Sequence, residues 1–168
     1  KDRRSSLTAT LVRRMVEAGM IVLGKTHTVE FAMGSFGTNQ HMGSPKNPWD
    51  LEEHRATGGS SAGTAAAVAA GLTPWGIGTD TGGSVRIPSA WCGLTGLKTS
   101  VGRISTHGVL PLSHTLDTPG PMCRSVEDAA ILYRILAGPD EQDSRTVINS
   151  IEDPFPELKK GICGFKLA

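Results

Sequence analysis

The sequence predicts an α/β fold, and two observations carry that reading. A polar-faced helical stretch, Thr8 to Met20, runs directly into the short apolar run MIVLG, and a small-residue segment, Ala62 to Ala70, is followed closely by WGIGT. In each case a segment that reads as helix gives way to a run too brief for one.

The elements follow in chain order. Between Thr8 and Met20 the apolar residues Leu11, Val12, Met15 and Val16 recur at helical spacing opposite Arg13, Arg14 and Glu17, with Gly19 as a stop. MIVLG then reads as a buried strand. Residues 24–57 are polar and turn-rich with no sustained period, so they read as one long irregular loop, a class that is usually functional. Ala62 to Ala70, closed by Gly71, reads as a short helix packing closely on its neighbours, WGIGT as a second strand, and DTGGSVRIP as a loop. LTGLKTSVGRISTHGVLPLS predicts loops and brief strands, and TLDTPGPM a turn. Ser125 and Asp128 form a capping-box-like start to the helix SVEDAAILYRILAG, which Gly138 ends. Residues 139–157 read as an acidic linker, and GICGFKLA as the beginning of another strand.

Composition narrows the function. With 168 residues, 38% apolar and 20% charged, the chain is long enough for one domain with a core, and its composition argues against disorder. A net charge of +1 with scattered Lys and Arg offers no stripe for nucleic acid or an anionic membrane. The uncharged stretch Ala56 to Thr79 is too rich in Gly, Ala, Ser and Thr, and carries Pro74, so it does not read as a membrane span. Cys92, Cys123 and Cys163 are odd in number and fit neither a disulfide framework nor a zinc knuckle, which favours a reducing cytoplasm.

The chemistry concentrates in GGSSAGTAAAVAAG (58–71) and GIGTDTGGSVRIPSA (76–90), which place the glycine-flanked Ser60 and Ser84 in almost uncharged surroundings 24 positions apart. A phosphate loop would need a Lys between Gly63 and Thr64, and none is there. A nucleophile elbow, with Ser61 at the centre of G-x-S-x-G, needs a preceding strand, yet DLEEHRATG is charged. A third reading takes both loops together. Thr81, Gly82 and Gly83 let backbone N–H groups converge beside the Ser84 hydroxyl, as a tetrahedral acyl-transfer intermediate requires. Serine also needs a proton acceptor, and Ser60 can relay a proton without being its final destination.

These paired loops, with LVRRMVEAGMIVLGKT, EFAMGSFGTN and LDTPGPMCRSVEDAAILYRILAG around them, resemble the amidase signature family, whose members cleave or form carboxylic amides through a Ser-cisSer-Lys triad. The resemblance implies the central slice of that α/β fold, a mixed β-sheet covered by α-helices. It makes Ser84 the nucleophile and Ser60 the bridging serine with a cis bond from Gly59, and it assigns the oxyanion hole to the amides of Thr81, Gly82, Gly83 and Ser84. Asp80 and Arg86 become a supporting shell. No metal or organic cofactor is implied.

The family's lysine segment, G-x-P-x-x-x-K-D, has no counterpart here; Lys25 and Lys1 are poor substitutes. The resemblance therefore describes residues 1–168 as a partial amidase domain with its signature region at about 56–104, lacking the N-terminal lysine strand and the C-terminal half. Little activity is expected of these residues alone. The implied function is hydrolysis of a small-molecule amide through an acyl-enzyme, favoured by VLPLSHTLDTPGPMCRSVEDAA. The alternatives are the A subunit of a glutamyl/aspartyl-tRNA amidotransferase, with which EFAMGSFGTN is compatible, and a non-catalytic scaffold. A homodimer or amidotransferase partner subunits are the assemblies this allows, without direct nucleic-acid or membrane contact.

Other conspicuous residues read as structural. His27, His41, His54, His107 and His114 never fall at metal-ligand spacing and read as solvated or capping groups. Trp49, Trp75 and Trp91 read as core or loop anchors, Cys92 as a small buried hydrophobe, and Glu30 and Asp117 as isolated carboxylates.

Overall fold

The computed structural model describes residues 5–146, 151 and 153–166. Helix α1, Thr10–Glu17, buries Leu11 and Met15 against Leu132 and Leu136 of α4, Val126–Leu136. Arg14 ties the pair together by donating through Nη1 to the Leu136 carbonyl (2.6 Å) and through Nη2 to that of Pro139 (2.6 Å). These contacts occupy carbonyls at the helix end that have no partner within the helix. At the other end of α4, the Ser125 hydroxyl accepts from the Asp128 amide at 3.1 Å, as the sequence predicted.

Helix α2, Ala62–Ala69, can lie close to its neighbours because its side chains are small. The Gly63 amide donates to the His27 carbonyl at 2.8 Å, and a β-carbon at Gly63 would collide with the His27 backbone. Strand β1, Trp75–Asp80, follows, then α3, Arg86–Trp91, the two-residue β2, Thr95–Gly96, and β3, Thr118–Cys123. The sheet order is β1-β3-β2, with both pairings antiparallel. It carries helices α2, α3 and α4 against it, so the α/β class holds, with antiparallel pairing throughout the described sheet. Two apolar clusters flank β3. One joins α1 and α4 to Ile104 and Cys123, and the other joins Ala65, Val85, Cys92 and Met122. Among the described residues no helix is long and apolar enough to cross a membrane.

Four expectations are corrected. MIVLG forms no strand: Ile21, Val22 and Leu23 are 82%, 56% and 75% exposed, because no strand among the described residues lies beside them to share backbone hydrogen bonds. TPGPMC is not a turn but the fully buried central strand. Its prolines fit because Pro121 directs its carbonyl to the Leu97 amide (3.1 Å), away from β1, so no proline N–H is missed in the β1 ladder. Arg86 to Pro88, expected to end the DTGGSVRIP loop, instead open α3, with Pro88 in its first turn, where a missing N–H costs little. Residues 161–166 form turns and bends rather than a strand, with 167 and 168 outside the described residues. The presumed linker also contains the short α5, Phe155–Leu158, and a 3₁₀ turn, Ser144–Thr146. The irregular stretch at 24–57 is as expected, interrupted only by the 3₁₀ turn Glu30–Ala32.

Candidate active site

The site is built on the end of β1. Asp80, the last residue of that strand, is fully buried, and its carboxylate organises the turn that follows. Oδ1 accepts from the Gly83 amide at 2.8 Å and from Arg86 Nη2 at 3.1 Å. Oδ2 accepts from the Val85 amide (3.1 Å), the Arg86 amide (3.3 Å) and Arg86 Nε (3.1 Å). Burial alone would raise the carboxyl pKa; the Arg86 guanidinium and the amides of Val85, Arg86 and Gly83 outweigh it and hold it at about 2. Asp80 and Arg86, which the resemblance made a supporting shell, thus hold the turn together by hydrogen bonds and charge.

One amide differs from expectation. The Gly83 N–H points to Asp80, whereas the amides of Thr81, Gly82 and Ser84 have no acceptor among the described residues. A β-carbon at Gly82 would meet nothing within 4 Å, so the turn is open on the side where a side chain at Gly82 would stand. Ser84 itself is half-buried at the rim.

Ser60 comes from the other loop and is 1% exposed. The Gly59–Ser60 peptide bond is cis, as the resemblance implied. The Ser60 carbonyl accepts from the Val29 amide at 3.1 Å, and the neighbouring Ser61 amide donates to the Ser84 carbonyl at 3.3 Å. Pro88 explains why that carbonyl is available, since four residues later in α3 it has no N–H to offer. The missing helical bond is thereby replaced by the bond that joins the two serine loops.

The Ser61 hydroxyl accepts from the Thr79 amide (3.2 Å) and donates to the Thr79 carbonyl (3.4 Å), so it staples α2 to β1 and is buried at 3% exposure. That occupation removes the nucleophile-elbow reading. Lys25 is exposed, with no hydrogen bond to either serine, and Lys1 lies outside the described residues. Cys92 donates to the Thr57 carbonyl, and burial pushes its thiol up to about 11, as a structural cysteine requires. Trp49 anchors its loop through Nε1 on the Cys92 carbonyl (2.9 Å), and Trp91 meets Phe36 edge-on. Among the described residues no group of three or more His, Cys, Asp or Glu is placed to hold a metal ion.

Three residues not singled out for this turn also meet it. Lys98 Nζ donates to the Asp80 and Leu116 carbonyls and lies 3.4 Å from Asp80 Oδ1. The Thr118 hydroxyl donates to the Asp80 carbonyl at 3.2 Å, and the Thr81 hydroxyl donates to Asp117. Apart from the placement of Thr118 just after Asp117, no local pattern in the sequence signals these contacts.

The depressed Asp80 pKa predicts acid sensitivity. Its folded value of about 2 lies below the unfolded carboxylate value near 3.9, so its stabilisation is complete above about pH 4. As the pH falls from about 4 to about 2, roughly 2 kcal/mol should be lost. Asp140 titrates in the same window: burial opposes its charge, but the Ser105 hydroxyl and other donors outweigh it and hold it at about 2. Urea midpoints measured at pH 5 and pH 2.5 should therefore differ sharply, and equal midpoints would refute the assignment.

The geometry has counterparts in known proteins. The amidase family model matches residues 1–163. The A subunit of the glutamyl-tRNA(Gln) amidotransferase of Coxiella burnetii is 49% identical over 95% of this chain, which covers 32% of that relative. Among solved structures, the corresponding subunit of Thermotoga maritima has a TM-score of 0.84 and 44% identity over 90% of this chain and 33% of its own. The peptide amidase of Stenotrophomonas maltophilia has a TM-score of 0.82 and 41% identity over 89% of this chain and 32% of its own. The chain thus spans about a third of the length of the relatives it matches. A match running through both serine loops and nearly every described element leaves one conclusion: the chain belongs to the amidase family.

Proposed function

We propose that the protein, encoded in full, hydrolyses a carboxylic amide through an acyl-enzyme on Ser84. The observation that supports this best is the turn bearing Ser84, whose Thr81, Gly82 and Ser84 amides have no acceptor among the described residues and which the Ser61 amide joins to the loop of buried Ser60. Ser84 Oγ adds to the amide carbonyl, and the resulting oxyanion takes hydrogen bonds from those amides. Ser60 receives the Ser84 proton and passes it on. As the C–N bond breaks, the leaving nitrogen takes up a proton and departs. Water then cleaves the ester to release the acid and free Ser84. No described lysine hydrogen-bonds to Ser60, so the final proton acceptor is assigned to residues beyond those described.

A second reading is supported by the relatives themselves. The 49% identity to one subunit of a glutamyl-tRNA(Gln) amidotransferase favours a role in which amide chemistry serves glutamyl-tRNA in a multi-subunit enzyme. Glutamine-dependent amidation that requires added partner subunits and tRNA would select it.

The test is labelling with a serine-reactive fluorophosphonate followed by peptide mass spectrometry, on the full-length protein and on these 168 residues. Label on Ser84 in the full-length protein is the expected result, with little on the shorter chain. A folded full-length protein that takes no label there would overturn the proposal in favour of a scaffold.

A further inference from the structure

Asp117 is 7% exposed, in the segment that leads into β3, and its two carboxylate oxygens face different parts of the chain. Oδ1 accepts from the Thr81 hydroxyl. Oδ2 accepts from the Leu112 and Ser113 amides at 2.8 and 2.9 Å, and the Asp117 amide donates back to the Ser113 carbonyl at 3.0 Å. One oxygen thus closes the 112–117 loop on itself, while the other reaches 36 residues back along the sequence. The target is the first residue of the serine turn, immediately before the open Gly82 amide. Lys98 and Thr118 hold the adjacent Asp80 carbonyl, which keeps the base of that turn fixed while Asp117 holds its side.

We propose that Asp117 is a positioning residue for amide cleavage, acting through the Thr81 hydroxyl on the turn that carries the Thr81, Gly82 and Ser84 amides; the inference rests on the acyl-enzyme reading above. A carboxylate that served only to close its own loop would need the Leu112 and Ser113 amides and no hydroxyl from β1's end. Thr81 has no other side-chain partner among the described residues, so losing Asp117 frees its rotamer and, with it, the direction of its neighbouring N–H groups. Amides that must meet a developing oxyanion lose effect when misdirected by a fraction of an ångström.

The experiment measures fluorophosphonate labelling of Ser84 in the full-length protein, because the probe's phosphoryl oxygen takes the oxyanion's place. The maximal labelling rate and the half-saturating probe concentration are determined separately for wild type, Asp117→Ala, Thr81→Val, Thr81→Ser and the double variant Asp117→Ala/Thr81→Val. The expected result is a maximal rate lowered about 10- to 100-fold in Asp117→Ala and Thr81→Val, with half-saturation changed by less than about twofold. Thr81→Ser should restore most of the rate, and the double variant should fall no further than the worse single one. Additive losses, a Thr81→Ser as impaired as Thr81→Val, or an Asp117→Ala at the wild-type rate would overturn the inference. Should Asp117→Ala fail to fold, Thr81→Val, which removes only a hydroxyl contact, decides alone. Absence of wild-type label on Ser84 overturns the acyl-enzyme reading itself, whereas normal label in wild type and variants alike overturns only the role of Asp117.

Discussion

Ser84→Ala in the full-length protein should lower amide turnover by roughly 10⁴- to 10⁶-fold, the scale seen when a nucleophile is removed from a unit that works together. The hydroxyl forms the covalent bond in the proposed mechanism, and Ser61 cannot replace it because its own hydroxyl is bound on both sides to Thr79. Stability should change by less than about 0.5 kcal/mol, since the Ser84 side chain is half-buried and its structural contact is made by its carbonyl. The check is initial rates on L-glutamine, an amidated dipeptide and a simple aliphatic amide, alongside thermal unfolding. Turnover that survives Ser84→Ala would move the chemistry to another residue.

Asp80→Ala should do the opposite and damage the fold together with the site. Truncation leaves the Gly83, Val85 and Arg86 amides without their acceptor and the Lys98 ammonium, 24% exposed, without its counter-charge. Removing one partner from a buried charge network costs about 3–5 kcal/mol. The lower end applies here, because the Arg86 side chain is 54% exposed and can be rehydrated. Turnover should fall at least about 100-fold, since the turn bearing Ser84 loses the group that shapes it. Denaturant midpoints with labelling rates provide the test, and a loss below about 1 kcal/mol would show that the turn holds its shape without the carboxylate. Asp80→Asn, which keeps the shape without the charge, should lie between the two.

What the sequence conveyed was local. The Ser125–Asp128 cap, the small-residue helix after Ser61 and the strand WGIGT are each announced by neighbouring residues, and the structure forms all three. The cis bond at Ser60 followed from a resemblance carried by glycines whose spacing is specific. The misreadings share a cause. Pro119 and Pro121 conceal a central strand because they speak against one unless their facing is known, and Pro88 conceals α3 in the same way. MIVLG is apolar enough for a strand, but pairing depends on a neighbour that composition does not reveal. Asp117 looked isolated because its partner Thr81 is 36 positions away, and Lys98 reaches Asp80 across 18. In the turn itself, only contacts made through space assign the Gly83 amide to Asp80 rather than to an oxyanion.

The pairing of β1 with β3 also sets a timetable. Trp75 meets Cys123 and Asp80 meets Thr118, so the strand bearing the serine turn acquires its central partner only after some forty further residues have been made. At synthesis rates of about 5–20 residues per second, Ser60 and Ser84 are added to the chain seconds before Asp117 and Thr118, which hold their scaffold. Long-range closure of this kind is slow to nucleate. In the proposed mechanism the two serine hydroxyls therefore wait for their scaffold, because the turn's base and side are held by residues in and just before β3, a strand to which that mechanism assigns no chemistry.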